Sequence, residues 1–244
     1  MTIDLLAIAK GYPYWIPGES YLYVDGEAQP LDRLPTRGRT AVIAYGSNRS
    51  PEQLVRKFRD WPPGTEIPVA RARLEGFDVV YSCHFTRYGS MPAMLHPTPD
   101  VAVDISVVWL TEAQLARMHE TEGTENYAYT RLDGISLEIA GHGRLDHAQC
   151  YWGLRDPFAP GGATVPLAAV TAEGRRDKPF YQADVLSRAR DLLAPGVDLD
   201  AFILAIVGDA GLRARRTAEL GRYGLPTNGR AGRSAQAAAG QPRR

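Results

Sequence analysis

The chain is poor in the signals that usually assign a protein's chemistry at sight. Its 244 residues include two cysteines, Cys83 and Cys150, far apart and in no Cys-x-x-Cys spacing. That argues against a disulfide scaffold or a structural zinc site and fits a reducing compartment. The five histidines (His84, His96, His119, His142 and His147) show no His-Glu-x-x-His or other paired spacing, so no metal site is expected. There is no Gly-rich phosphate loop, which leaves no role for a nucleotide, and the expected cofactors are none. No Gly-x-Ser-x-Gly elbow surrounds Ser47. An excess of one charge is also missing: 28 Lys+Arg balance 28 Asp+Glu. Neither nucleic acid nor an anionic membrane surface is an expected partner. No apolar run reaches the roughly 20 residues of a membrane-spanning helix. The short run Leu5-Leu6-Ala7-Ile8-Ala9 follows Asp4 and has no basic flank, unlike a signal peptide. The expectation is a cytoplasmic protein.

What is present reads as an ordinary folded chain, 44% apolar and 23% charged. Residues 1–38 are aromatic and rich in Pro and Gly, and form an N-terminal extension in which Tyr21-Leu22-Tyr23-Val24 and Asp25-Gly26 read as a strand and turn. Thr40 to Tyr45 is a nearly continuous apolar, β-branched run and reads as a buried strand. Further strands are expected over 69–74, 77–82, 102–109, 127–132, 135–139 and 148–152, as a mixed or antiparallel sheet able to curl into a barrel. Helices are expected over 179–193, 199–207 and 210–220. The class is α+β, with a core over 39–156 and a helical C-terminal portion over 157–225. The residues from 226 to 244, basic and Ala/Gly/Gln-rich, are expected to be a disordered tail.

Two local features carry chemistry. After the buried strand come Gly46, Ser47, Asn48 and Arg49, then Ser50-Pro51-Glu52-Gln53. Ser50 suits a helix N-cap, Pro51 the first helical position, and Gln53 the far side of a capping box. A chain that leaves a sheet and enters a helix at once points backbone N–H groups toward one spot, where an anion is the natural ligand. The bland alternative is an ordinary strand-to-helix connection.

The second feature is a carboxylate. Residues 111–122 read as a helix with Thr111 and Gln114 as its capping box and Gly123 as its stop. At 100° per residue, Leu115, Met118 and Glu122 fall within about 60° of one another, so Glu122 should point inward, whereas Glu120 should not. Burial at a helix C-terminus should push its pKa upward, toward the range useful to a general acid or base. The alternative is that Glu122 reaches solvent past Gly123. In the strand that follows, Tyr127, Tyr129 and Arg131 share a face, and Tyr151 can join them across the sheet.

Together, Tyr45-Gly46-Ser47-Asn48, Glu122 before Gly123, Tyr129-Thr130-Arg131 and Gln149-Cys150-Tyr151 resemble the gamma-glutamylcyclotransferase family, including AIG2-like proteins, over about residues 42–152. The resemblance implies that family's mixed β-barrel flanked by helices. It also implies cyclisation of a γ-glutamyl group to 5-oxoproline with release of an amine or amino acid. Glu122 would be the general acid/base, Tyr45, Gly46, Ser47 and Asn48 would hold the glutamyl moiety, and Tyr129 and Tyr151 would stand near the cavity. Two departures stand out. Arg49 replaces a commonly apolar residue and could alter the pocket floor. The motif ends in Asn48 rather than the leucine of the glutathione-specific branch, which makes intact glutathione a poorer fit. Two readings follow: a cyclotransferase acting on a small γ-glutamyl substrate, or a non-catalytic carboxylate-binding or regulatory protein on the same fold. The flanking segments could be a lid, a homodimer surface or a specificity element.

Overall fold

The computed structural model describes residues 4–123 and 125–226, so all but the first residue of the expected 226–244 tail lies outside the described residues. The N-terminal segment holds a short helix, α1 (Leu5–Lys10), capped by the Asp4 carboxylate on Ala7 N–H. A hairpin follows, β1 (Tyr21–Val24) and β2 (Glu27–Pro30), turning at Asp25 and Gly26 with φ of 49° and 97°. Positive φ at both central turn residues matches the right-handed twist of the flanking strands. The elements that build the body are β3 (Thr40–Ala44), α2 (Pro51–Phe58), β4 (Glu66–Tyr81), β5 (Ala93–Leu110), α3 (Glu112–Thr121), β6 (Tyr127–Ile139) and β7 (Gly143–Gly153). A two-residue strand β8 (Ala172–Glu173) and helices α4 (Gln182–Leu193), α5 (Leu199–Gly208) and α6 (Ala210–Leu220) complete it.

The strands run in the order β2-β1-β4-β6-β7-β3-β5-β8, and β4 also pairs with β5. That extra pairing closes β4, β6, β7, β3 and β5 into a five-stranded barrel. Only β3 and β7 run parallel; the other pairings are antiparallel. The fold is α+β, a mixed barrel flanked by helices, as the sequence led us to expect. Among the described residues no helix is long and apolar enough to cross a membrane.

The apolar run at β3 has a simple cause. Ile43 packs into one core cluster, with Val107 and Cys150, while Val42 and Ala44 pack into another, with Leu54, Phe58 and Met118 of α2 and α3. The strand is covered on both faces, so both sets of alternating residues must be apolar.

The expected pairs of short strands at 69–74 and 77–82, and at 127–132 and 135–139, are each one long strand. In β4, Ala70, Ala72 and Leu74 face the larger core, and beyond Gly76 it is Phe77, Val79 and Tyr81 that do so. The ladder shifts register between Glu75 and Phe77, with Gly76 at φ 81°. One inserted residue moves the next ones to the opposite face, and a glycine bulge absorbs it without ending the strand. In β6 the same switch, from Leu132 to Ile135, Leu137 and Ile139, occurs beside Gly134.

The C-terminal helices bury Val185, Leu186, Phe202, Ile203 and Ile206 against the core, which also takes in Ala9 of α1. One buried ion pair ties down the segment before α4. Arg175 reaches Asp78 on β4 through Nε (3.0 Å) and a terminal nitrogen (2.6 Å), while its other terminal nitrogen donates to Val170 C=O at 3.1 Å.

Candidate active site

The strand β3 delivers Tyr45 to the mouth of the barrel, and the chain then makes a 3-10 turn, Ser47–Arg49, before α2. Ser50 does occupy the N-cap, with Pro51 next, but its side chain makes no cap hydrogen bond. Its hydroxyl is buried without a partner, and Gln53 accepts from Arg56 at 3.2 Å instead, so the expected capping box at α2 does not form. At α3 the box does form: Thr111 Oγ accepts from Gln114 N–H (3.3 Å), and Gln114 Oε1 accepts from Thr111 N–H (3.0 Å). The stop is not the expected glycine turn. Glu122 itself leaves the helix with φ −86° and ψ 136°, and this extended geometry swings its side chain back toward α2.

There the carboxylate meets two donors. Oε1 of Glu122 stands 2.8 Å from Asn48 Nδ2 and 2.5 Å from Lys57 Nζ. The Glu122 side chain is 15% exposed and that of Lys57 5%, whereas Glu120 is 65% exposed and pairs with Arg117 across the helix surface. Helical phase therefore separates the two glutamates correctly, and the inward carboxylate has an ammonium partner, Lys57, that the sequence reading did not name. An ammonium within hydrogen-bonding distance offsets the cost of removing it from water. Among the described residues Oε2 receives no hydrogen bond.

Glu122 lines a cavity of about 860 Å³ together with Tyr45, Gly46, Ser47, Asn48 and Tyr151. Of the expected site residues, Tyr129 alone is not in that wall. It is 38% exposed and packs edge-on against His119, with ring centroids 4.6 Å apart. Tyr127, two residues earlier on the same strand face, lines the cavity in its place. Arg49 does not alter the cavity floor as expected. It turns away, buried, and donates to Asp104 C=O at 2.8 Å, with burial pulling its pKa down to about 10.

Four residues of the cavity wall escape a reading of the sequence. Lys57 had a local signal: Leu54, Lys57 and Phe58 follow the i, i+3, i+4 rule on α2, and all three are buried. Tyr12 and the α6 residues Arg213 and Thr217 reach the cavity from opposite ends of the chain, and no local pattern announces that.

Four phenols surround the carboxylate. Tyr12, Tyr45, Tyr127 and Tyr151 all have their ionisation pushed upward, first by burial and further by the charge of Glu122. They stay protonated and act as donors and acceptors rather than bases. The Tyr45 hydroxyl donates to Tyr151 C=O, and that of Tyr127 to Ala93 C=O at 3.0 Å. Tyr151 shares a hydrogen bond of 2.9 Å with His119 Nδ1. At the far side His84 is bound through Nδ1 to Ser82 (3.0 Å), and burial, helped by Arg155, takes its pKa down to about 3. Among the described residues no three His, Cys, Asp or Glu side chains group as metal ligands.

Fold and site together define an α+β barrel protein with a paired carboxylate at the barrel's mouth. No protein-family model and no curated protein sequence matches the chain. Two solved structures are similar to it in fold, each at a TM-score of 0.38. One is the solution structure of an Arabidopsis thaliana protein, 15% identical, with 65% of this chain and 89% of that one covered. The other is a gamma-glutamyl cyclotransferase, 16% identical, with coverage of 67% and 84%.

Proposed function

We propose that the protein is an enzyme that cyclises a small γ-glutamyl substrate to 5-oxoproline and releases an amine or amino acid. The observation that carries the reading is the state of Glu122. One carboxylate oxygen is fixed by Lys57 and Asn48, and the other is left free in a cavity beside the Gly46–Ser47 turn. A carboxylate held this way is oriented and keeps an oxygen to accept a proton, as a general base must.

The chemistry is short. Glu122 takes a proton from the substrate's α-ammonium. The freed α-nitrogen attacks the γ-carbonyl carbon of the same molecule, forming the ring C–N bond and moving a pair of electrons onto the carbonyl oxygen. When that oxyanion collapses, the old γ C–N bond breaks and Glu122 returns its proton to the departing nitrogen; the surplus proton of the new ring nitrogen follows through the same carboxylate, so that 5-oxoproline and a protonated amine leave. Both reacting groups belong to one molecule, so holding it folded supplies much of the rate. Tyr45 to Asn48 hold the glutamyl part and Tyr151 closes the wall behind it.

Incubation with a panel of γ-glutamyl amino acids and γ-glutamyl amines, read by 5-oxoproline release, tests the reading. Turnover is expected from at least one of them, with Glu122→Gln lowering kcat by about 10²–10⁴-fold. No product from any, or undiminished product from the variant, would sink it. A second reading, a carboxylate-binding protein without turnover, draws on the same ion pair, which already gives Glu122 a partner. Stabilisation by a carboxylate metabolite without its conversion would favour it.

A further inference from the structure

The four phenols around Glu122 differ in where their protons go. Tyr45 and Tyr127 spend theirs on backbone carbonyls, and Tyr151 is engaged with the ring of His119. Tyr12 is placed the other way round. Its oxygen is an acceptor, taking the Ala93 N–H at 2.9 Å, with the Ser47 backbone N–H also acting on it. Among the described residues no acceptor takes its proton. Ala93 thus serves two tyrosines at once, donating to Tyr12 and accepting from Tyr127.

The place of this uncommitted donor is fixed by contact. A methyl group built on Gly46 would collide with the Tyr12 hydroxyl, so the phenol occupies the space a side chain at 46 would fill. The residue is 8% exposed and lines the same cavity as Glu122. A hydroxyl whose lone pairs are turned toward backbone N–H groups must direct its hydrogen elsewhere, and an unused donor in a closed site is costly unless a ligand takes it.

We propose that Tyr12, carried in by the segment ahead of the barrel, is a catalytic residue whose hydroxyl donates to the γ-carbonyl oxygen of the substrate as it becomes an oxyanion. This rests on the cyclotransferase reading above. The Gly46–Asn48 turn is then only part of the anion site, and the N-terminal segment completes it. Burial keeps the phenol protonated throughout the working pH range, as a donor requires.

The test compares three proteins on whichever γ-glutamyl substrate the wild type turns over best. Tyr12→Phe keeps the ring against Gly46 and removes the hydroxyl. Its kcat should fall by about 10²–10³-fold, with KM changed far less. Replacement of Tyr12 by 3,5-difluorotyrosine keeps ring, oxygen and acceptor while making the phenol ionise at lower pH. Its kcat should gain an alkaline falling limb absent from the wild type, because loss of the proton is loss of the donor. If the wild type is active and Tyr12→Phe stays within threefold of it, the inference falls and the cyclotransferase reading stands. If the wild type releases no 5-oxoproline from the whole panel, both fall together. Should Tyr12→Phe fail to fold, the fluorinated protein decides, and an unchanged pH profile overturns the inference.

Discussion

Among the described residues two ion pairs are buried to nearly the same depth, and they are built on opposite plans. Asp78 and Arg175 have side chains 6% and 9% exposed; Glu122 and Lys57 are 15% and 5% exposed. Asp78 is saturated: Arg175 reaches both of its oxygens, and Val79 N–H donates to Oδ1 at 2.7 Å. Glu122 lines the cavity and takes both of its bonds on Oε1; among the described residues none reaches Oε2. A planar guanidinium with a fork of donors suits the first task, and a point-charge ammonium suits the second. A saturated pair can only hold the fold together. An unsaturated one keeps an oxygen able to accept a further hydrogen bond or a proton, at the cost of leaving part of its bonding capacity unused.

The contrast can be broken by exchanging what each pair is asked to do. Glu122→Gln should give the largest effect on activity, the fall of about 10²–10⁴-fold already stated, with the melting temperature little changed. Asp78→Ala should do the reverse. It strands the Arg175 guanidinium and should cost about 3–5 kcal/mol of stability, a drop in melting temperature of roughly 6–20 °C by calorimetry. The activity per folded molecule should stay near that of the wild type, and a large kcat loss in Asp78→Ala would erase the distinction. Lys57→Met sharpens it further. Removing the ammonium takes from Glu122 Oε1 one of its two donors and leaves the carboxylate free to turn, so kcat should fall by up to about 10²-fold with KM changed less. A kcat within twofold of the wild type would mean that Lys57 only fills space. The smallest effect should come from Ser50→Ala. An N-cap serine that bonds its helix is worth about 0.5–2 kcal/mol, but this hydroxyl makes no bond. The variant should unfold at the same denaturant midpoint or slightly higher.

Much of the fold was legible because its signals are local. The apolar run at residues 40–45, the Asp25-Gly26 turn and the three C-terminal helices each follow from a handful of neighbouring residues. The strand breaks at Gly76 and Gly134 were misread because a glycine marks a bulge and a turn with the same letter; only the face switch from Leu74 to Phe77 tells them apart. Helical phase was enough to choose Glu122 over Glu120. It would also have picked out Lys57, had a charged residue been allowed on the apolar stripe between Leu54 and Phe58. Tyr129 was misplaced, since strand alternation says which residues share a face but not how far along it the cavity extends. Tyr12 was beyond reach: its neighbours Gly46 and Ala93 lie at distant points of the chain, and nothing in the pattern around Tyr12 predicts them.

Tyr12 precedes the barrel and Thr217 follows it, yet both stand in the wall of one cavity. Bringing such remote positions together costs loop-closure entropy that the barrel's own strand pairings do not repay. The barrel could therefore be complete while the cavity is still open on two sides. On the cyclotransferase reading, turnover doubles as a report on assembly, since it requires both flanks to be docked on the barrel. Loosening at either flank should silence the protein well before the barrel itself comes apart.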